Sequence, residues 1–100
     1  VALALRAYKT WRVQNGGPSM FNVHGKLYSD EHLLWVAYAQ TWCAKQTPKA
    51  MAQQGLTDPH NPGRLRVLGP VQTTERFSDL FKCGEGAAMN PAHKCMLWEG

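Results

Sequence analysis

The sequence of 100 residues predicts a mainly helical chain with irregular loops and little sheet. Two observations predict this class. Apolar residues recur at helical spacing in several stretches, and glycine or proline separates each stretch from the next. The composition is that of a folded chain, with 44% hydrophobic residues and four tryptophans. Because no repeat or boundary signal appears, we expect residues 1–100 to carry no internal domain boundary.

The first half of the chain is predicted to hold two helices separated by a loop. The first helix covers residues 1–14 and ends at the Asn-Gly-Gly-Pro run of residues 15–18, because Pro cannot continue the helical ladder. Residues 18–28 are predicted to be a loop with apolar anchors. Ser29 is a good N-cap for a second helix over residues 30–45, whose first turn carries two acids that suit the helix dipole.

Apolar residues cover nearly the whole circumference of the predicted helix 30–45. Such a helix must be buried on most sides, and a chain of this length can hardly wrap it. We also interpret Trp11 and Trp35 as core residues. Since the sequence begins at Val1 inside a helical pattern, we expect the chain to be a segment of a larger structure.

The second half is predicted to be more irregular. Thr47 and Pro48 form a cap followed by a first-turn proline, which predicts a short helix ending at Gly55. Residues 65–68 are predicted to be extended and stopped by Gly69 and Pro70. Thr73 or Thr74 then caps a helix that reaches residue 81, and residues 83–100 are rich in turns.

Residues 57–66 form a stretch whose two prolines and glycine predict a shaped loop. It presents the imidazole of His60 and the guanidinium of Arg66. An imidazole can donate a hydrogen bond to a developing oxyanion, and a guanidinium can bind a carbonyl or carboxylate with its planar fork. Without further information, a surface loop with solvated side chains explains the same residues.

Composition and motifs exclude or disfavour several classes. The net charge of +4 is spread along the chain without the cluster typical of nucleic-acid binders, so we expect no nucleic-acid partner. The sequence has no apolar stretch of about 18 residues and no signal-peptide pattern, so we expect no membrane contact by this segment. The three cysteines include no C-x-x-C pair, which argues against a zinc module. Their odd number means that at least one is free or paired outside the chain.

Four spaced motifs resemble the C-terminal end of the neprilysin and endothelin-converting-enzyme family of zinc metallopeptidases. They fall in the family's order with nearly the family's spacing and cover almost the whole chain. The motifs are Tyr38-Ala39-Gln40-Thr41-Trp42-Cys43; Thr57-Asp58-Pro59-His60 with Pro62 and Arg66; Phe77-Ser78 with Phe81 and Cys83; and Met89-Asn90-Pro91 with Lys94, Cys95 and Trp98.

The resemblance implies that the chain is the helical C-terminal part of a thermolysin-like (zincin) catalytic domain. In that family, zinc is bound by H-E-x-x-H and by a Glu of an E-x-x-x-D helix. H-E-x-x-H is absent from this sequence, and Glu75 and Asp79 match E-x-x-x-D only at a later helix. We therefore expect zinc in the full-length enzyme, none bound by this chain, and no activity from this chain alone.

The resemblance also implies residue roles. His60 matches the imidazole that stabilises the oxyanion, and Arg66 matches the arginine that binds the substrate carbonyl on the leaving side. Trp42, with Thr41 beside it, falls where the family lines the pocket for a hydrophobic side chain. Asp58 either orients His60 or shapes the turn, and both interpretations stay open. The implied partners are a peptide substrate, cleaved on the amino side of hydrophobic residues, and the remainder of the catalytic domain.

The cysteines receive an interpretation from the same resemblance. Cys43, Cys83 and Cys95 match family positions that form disulfides with cysteines earlier in the ectodomain. Such disulfides imply an oxidising, extracellular compartment, as for a secreted or membrane-anchored ectoenzyme. Two other hypotheses remain: a small secreted disulfide-containing binding module, and a catalytically inactive homologue used for protein interaction.

Overall fold

The computed structural model describes residues 1–96 and confirms the predicted class, since the described part is mainly helical with one small sheet. The described elements are α1 (Ala2–Gln14), β1 (Met20–Val23), β2 (Lys26–Ser29), α2 (Asp30–Gln40), α3 (Pro48–Thr57), α4 (Gly63–Thr73) and α5 (Glu75–Phe81). The chain divides into two compact units, Val1–Ala37 and Tyr38–Gly100. The prediction that it carries no internal domain boundary stays a prediction. No helix in the described range is long and apolar enough to cross a membrane.

The first unit contains a β-hairpin where a loop was predicted, so the prediction for residues 18–28 is wrong. Strands β1 and β2 pair antiparallel, with Met20 opposite Ser29. The two residues between them, His24 and Gly25, have φ of 49° and 80°. Positive φ at both central residues is the geometry whose twist matches that of the flanking strands. Glycine accepts this backbone easily, whereas His24 is a less usual choice.

The buried side chains of the first unit include two of the expected apolar kind and one acid. Leu5 and Trp35 are buried, but Trp11 is 55% exposed, so the interpretation of Trp11 as a core residue is wrong for this chain. The carboxylate of Glu31 is also buried and lies 3.5 Å from the guanidinium of Arg12. A buried carboxylate needs such a partner, because desolvation of an unpaired charge is costly.

Helix α2 begins as predicted and ends earlier. The hydroxyl of Ser29 accepts a 3.4 Å hydrogen bond from the main-chain N–H of His32, as an N-cap does. The helix ends at Gln40 instead of residue 45. The N–H groups of Trp42 and Cys43 bond to carbonyls three residues back, at 3.1 Å each, so the chain tightens into a turn. Trp42 is therefore on the segment that follows α2.

Helix α3 follows its local signals closely. The Thr47 hydroxyl accepts a hydrogen bond from the N–H of Ala50 at 3.2 Å, and Pro48 occupies the first turn. The N-cap prediction is therefore confirmed. The helix continues to Thr57, two residues beyond the predicted end at Gly55, because an isolated glycine inside a helix weakens it without ending it.

Helix α4 replaces the extended segment predicted for residues 65–68, and Pro70 lies inside it. That prediction is wrong. A proline has no N–H to donate to the carbonyl four residues back, which here belongs to Arg66. The hydroxyl of Tyr38 donates to this carbonyl at 2.7 Å and supplies the missing hydrogen bond. The helix thus tolerates Pro70 with the help of Tyr38, which lies 28 positions before the carbonyl that it bonds.

Helix α5 packs against α4, and the chain turns after it. The predicted cap Thr74 precedes α5, but its hydroxyl donates to the carbonyl of Pro70 at 2.6 Å and does not cap α5. Val71 and Ser78 are the buried residues of these two helices. A turn ends at Asn90, whose main-chain N–H donates to the carbonyl of Ala87 at 2.8 Å, and the Asn90 side chain donates to the carbonyl of Cys83 at 2.9 Å. Trp98, the last residue of the family motifs, lies outside the described residues.

Candidate functional site

A solvent-open cleft of about 370 Å³ lies within the second unit. Its walls come from the segment after α2, from the end of α3 and from the loop and first turn leading into α4. All five residues predicted to contact or orient a substrate line it: Thr41, Trp42, Asp58, His60 and Arg66. The structure thus brings together residues from sequence positions 41 to 66.

The loop between α3 and α4 is shorter than predicted. It runs from residue 58 to residue 62, so Arg66 belongs to the first turns of α4 and not to the loop. Asp58 has an extended backbone, with φ −94° and ψ 124°. This geometry follows from Pro59, whose ring disfavours helical angles at the preceding residue. The helical position of Arg66 gives its guanidinium a more rigid base than a loop would.

Asp58 both shapes the turn and contacts the imidazole of His60. Its Oδ1 accepts a hydrogen bond from the main-chain N–H of His60 and another from the ring Nδ1, each at 2.9 Å. The two contacts that these interpretations require are therefore both present, while the orienting role of Asp58 stays a prediction. A carboxylate only accepts hydrogen bonds, so Nδ1 carries the proton and Nε2 is left as the ring nitrogen free to face a ligand.

The hydrogen bonds from His60 also affect the ionisation of Asp58. The main-chain N–H of His60, followed by its imidazole, lowers the pKa of the Asp58 carboxyl from its usual 3.8. A carboxylate that accepts two hydrogen bonds is stabilised in its charged form. Asp58 is therefore ionised at neutral pH and can hold the imidazole in one orientation.

Both the guanidinium and the main-chain carbonyl of Arg66 are held by other residues. Its guanidinium carbon lies 4.2 Å from the centre of the Trp42 ring, a cation–π distance. Its main-chain carbonyl accepts the hydrogen bond from Tyr38 described above. Stacking on a rigid ring restricts the guanidinium without using its N–H groups, so the planar fork stays free to bind a carbonyl or carboxylate.

Trp42 and Thr41 form the neighbouring wall. The indole Nε1 of Trp42 is buried, and no hydrogen-bond acceptor for it exists among residues 1–96. The hydroxyl of Thr41 donates to the carbonyl of Tyr38 at 2.7 Å, so its proton is engaged within the chain.

Gly63 allows α4 to begin directly against Trp42. A Cβ placed on Gly63 would lie 2.7 Å from the main-chain oxygen of Trp42, closer than real Cβ contacts allow. Any larger residue would push the start of α4 away from Trp42. The stacking of Arg66 on Trp42 depends on this close approach, because Arg66 stands one turn further along the same helix.

The three cysteines are free thiols in this chain. Cys43 is exposed and lines the cleft, Cys83 is half-buried, and Cys95 is exposed. Their predicted disulfides to cysteines outside the chain stay a prediction.

Within residues 1–96, no group of three or more His, Cys, Asp or Glu side chains is placed to hold a metal ion. The ionisable groups that line the cleft are one imidazole, one carboxylate bonded to it, the Cys43 thiol and a guanidinium, which repels cations. The described residues therefore do not fit a zinc site by themselves.

The comparison with known families agrees with the motifs. A family model described as Peptidase family M13 matches residues 1–97. The chain belongs to this peptidase family. The resemblance inferred from the four motifs is thereby confirmed at the level of the family.

Three relatives illustrate the match to family M13. The chain is 38% identical to endothelin-converting enzyme 1 of Homo sapiens over 95 residues, covering 95% of this chain and 12% of the relative. It is 38% identical to neprilysin-11 of Caenorhabditis elegans over 96 residues, covering 95% and 11%. It is 41% identical to endothelin-converting enzyme-like 1 of Rattus norvegicus over 96 residues, covering 96% and 12%. The chain thus spans about an eighth of the length of these relatives.

Sequence reasoning missed four residues that build the cleft of this M13 chain: Tyr38, Gln46, Gln54 and Gly63. Gln54 lies four residues before Asp58 on a predicted helix, which is a signal that could have placed it beside that residue. The contact of Tyr38 with α4 and the approach of Gly63 to Trp42 join positions far apart in sequence, so no local pattern reveals them.

Proposed function

We propose that this chain is the C-terminal segment of a neprilysin-like zinc metalloendopeptidase that cleaves peptides on the amino side of hydrophobic residues. One observation carries the proposal: in a chain of peptidase family M13, His60 and Arg66 line the same open cleft. The first offers a donor for an oxyanion and the second a fork for a carbonyl. Family membership favours this function over a self-contained binding module.

The metal belongs, in this proposal, to the remainder of the catalytic domain. The described residues hold no metal-binding group, and H-E-x-x-H is absent from residues 1–100. Zinc supplies Lewis-acid chemistry in peptide hydrolysis. This segment alone is proposed to be inactive.

His60 is proposed to stabilise the negative charge that develops on the scissile carbonyl oxygen. Asp58 holds Nδ1–H, so Nε2 carries a donor proton only when the imidazole is doubly protonated. The side chain is 66% exposed in this chain, so it can reach a ligand in the cleft. A prepositioned donor of this kind lowers the barrier because it needs no reorganisation as charge forms.

Arg66 is proposed to bind the backbone carbonyl on the leaving side of the scissile bond. Its fork is free, since the stacking on Trp42 leaves the N–H groups unoccupied. Trp42 and Thr41 are proposed to line the pocket for the hydrophobic side chain that follows the scissile bond. The preference for hydrophobic residues would then come from the indole and the Thr41 methyl.

Cys43, Cys83 and Cys95 are proposed to form disulfides with cysteines in the rest of the ectodomain. All three are free here, and two are exposed, so they are available to such partners. The proposal places the protein in an extracellular compartment, as a secreted or membrane-anchored ectoenzyme.

Steady-state kinetics of the full-length protein, on a peptide with a hydrophobic residue after the scissile bond, tests the proposed roles. We expect His60→Ala to lower kcat by roughly a hundred- to a thousand-fold, the usual cost of losing an oxyanion donor. We expect Arg66→Ala mainly to raise KM, and Arg66→Lys to restore little, because lysine has no planar fork. Arg64→Ala, on the exposed side of the same helix, is the matched control. A wild-type kcat in His60→Ala would overturn the proposal.

A further inference from the structure

Two glutamines line the cleft that holds His60, and neither has a role in the function proposed above. Gln46 belongs to the segment between α2 and α3, and Gln54 lies near the end of α3. The side-chain Nε2 of Gln46 donates a hydrogen bond to Oε1 of Gln54 at 2.9 Å. This bond ties the wall that carries Trp42 to the helix that leads into Asp58.

Gln54 also contacts Asp58, four residues on. Its main-chain carbonyl accepts the N–H of Asp58 at 2.9 Å, which closes the end of α3. Side chains four residues apart on a helix lie on the same face. The hydrogen bonds from His60 contribute most to the lowered pKa of the Asp58 carboxyl, and a side-chain hydrogen bond from Gln54 lowers it further.

The Asp58 carboxylate decides which end of the Gln54 amide faces it, because a carboxylate only accepts, and the bond from Gln46 supports that orientation. A primary amide has one oxygen that accepts and one NH₂ group that donates. Because the oxygen of Gln54 accepts from Gln46, the NH₂ group is left for the carboxylate. The opposite orientation would turn an amide oxygen toward the Asp58 carboxylate, which is repulsive, and would require the Gln46 amide to turn as well.

We propose that Gln54, oriented by Gln46, is a positioning residue that acts on His60 through Asp58. The proposal rests on the function proposed above, since it assumes that His60 serves the reaction. Gln46 donates to Gln54, and His60 donates to Asp58 through its main chain and its ring. The NH₂ group of Gln54, four residues before Asp58, is left to face the same carboxylate. A donor on that side of Asp58 reduces its freedom to rotate, so the imidazole that Asp58 holds is more narrowly oriented.

The first test compares two glutamines on one helix in the full-length enzyme. Gln54→Leu removes the donor to Asp58 at similar size, and Gln53→Leu makes the same change at an exposed neighbour that does not line the cleft. We expect Gln54→Leu to lower kcat by roughly threefold to thirtyfold, which lies within the range of coupling between contacting side chains, with little change in KM. We expect Gln53→Leu to keep both constants.

A second pair of variants tests whether Gln46 supports the orientation of the Gln54 amide. Gln46→Glu replaces the donor by an acceptor, so the Gln54 amide must turn its NH₂ group toward residue 46 and its oxygen toward Asp58. We therefore expect Gln46→Glu to lower kcat more than Gln46→Ala does. Because Gln46 is exposed, both variants keep the fold. Equal kcat in the two variants and the wild type would overturn the orienting role of Gln46.

A double-mutant cycle separates positioning from a merely structural contribution. If Gln54 acts through His60, Gln54→Leu costs nothing more in kcat once His60→Ala is present. A loss of the same size in both backgrounds would overturn the proposal. A Gln54→Leu variant that behaves like Gln53→Leu, beside a His60→Ala variant that has lost kcat, would overturn the positioning role alone. A His60→Ala variant with full kcat would instead overturn the proposed function.

Discussion

At the residue scale, one carboxylate oxygen of Asp58 sets the geometry of His60. It accepts both the main-chain N–H and the ring N–H of that residue, at 2.9 Å each. The first contact closes the turn and the second fixes the ring, so backbone and side chain of His60 are positioned by the same group. A substitution at Asp58 is therefore expected to move both the backbone and the imidazole of His60.

This arrangement predicts the titration of Asp58. We expect its carboxyl pKa to lie below the usual 3.8, because the hydrogen bonds from His60 favour the ionised form. A group whose pKa is depressed by folding contributes stability above its unfolded pKa and loses that contribution as the pH falls through the folded pKa. The contact with His60 should thus be complete above pH 3.8 and disappear in more acidic solution.

Carboxyl ¹³C shifts of labelled aspartate, followed through a pH titration, measure this pKa. His60→Ala keeps the main-chain N–H and removes the ring, so we expect it to raise the Asp58 pKa only part of the way toward 3.8. A wild-type Asp58 that titrates at or above 3.8 would contradict the geometry described here.

At the element scale, the position of Arg66 depends on how α4 accommodates Pro70. The carbonyl of Arg66 lacks the helical N–H that any other residue at position 70 would donate, and Tyr38 donates in its place at 2.7 Å. Tyr38 therefore bonds to a carbonyl that Pro70 leaves without its helical donor. This pairing links the end of α2 to the turn of α4 that faces the cleft.

A thermodynamic cycle tests this compensation. We expect Tyr38→Phe to lower the free energy of unfolding by about 1 kcal/mol, since it leaves a part-buried carbonyl without a donor. In a Pro70→Ala background, the main-chain N–H of residue 70 can take over, so Tyr38→Phe should cost clearly less there. Denaturant titration of the four proteins measures both costs. Equal costs in the two backgrounds would show that Tyr38 does not replace the missing N–H.

The elements that could be predicted from sequence are those with local signals. The cap and first-turn proline of α3 lie next to each other, and the Gly-rich end of α1 adjoins the helix that it terminates. The end of α1 and the start of α3 were therefore found. Local rules do not predict helix α4, because Pro70 is a helix breaker and the compensating donor, Tyr38, lies 28 residues before the carbonyl of Arg66 that it bonds.

The β-hairpin and the cleft show the same contrast between features with a recognisable sequence signal and features without one. The His24-Gly25 turn lacks the Asn-Gly or Asp-Gly pair that usually marks a two-residue hairpin, so the sequence predicts a loop at these residues. The site residues His60 and Arg66 were found through family motifs. The glutamine pair was not found, because a hydrogen bond between Gln46 and Gln54 leaves no pattern in the sequence.

At the scale of the whole molecule, the described chain leaves large apolar side chains in solvent in each of its two units. Leu3 and Val13 in the first unit and Leu56 in the second are at least 80% exposed. The chain also spans only about 12% of the length of relatives such as endothelin-converting enzyme 1. Both facts support the proposal that the remainder of the catalytic domain covers these surfaces and completes the cleft.

We propose that this segment supplies His60 as the oxyanion donor and Arg66 as the carbonyl-binding group, and that the rest of the protein binds the metal. The zinc content of the full-length His60→Ala variant, measured by elemental analysis beside the wild type, tests this most directly. We expect equal zinc per molecule in the two proteins, because the role proposed for His60 is that of a donor to the substrate and not of a metal ligand. A loss of zinc in the variant would contradict it.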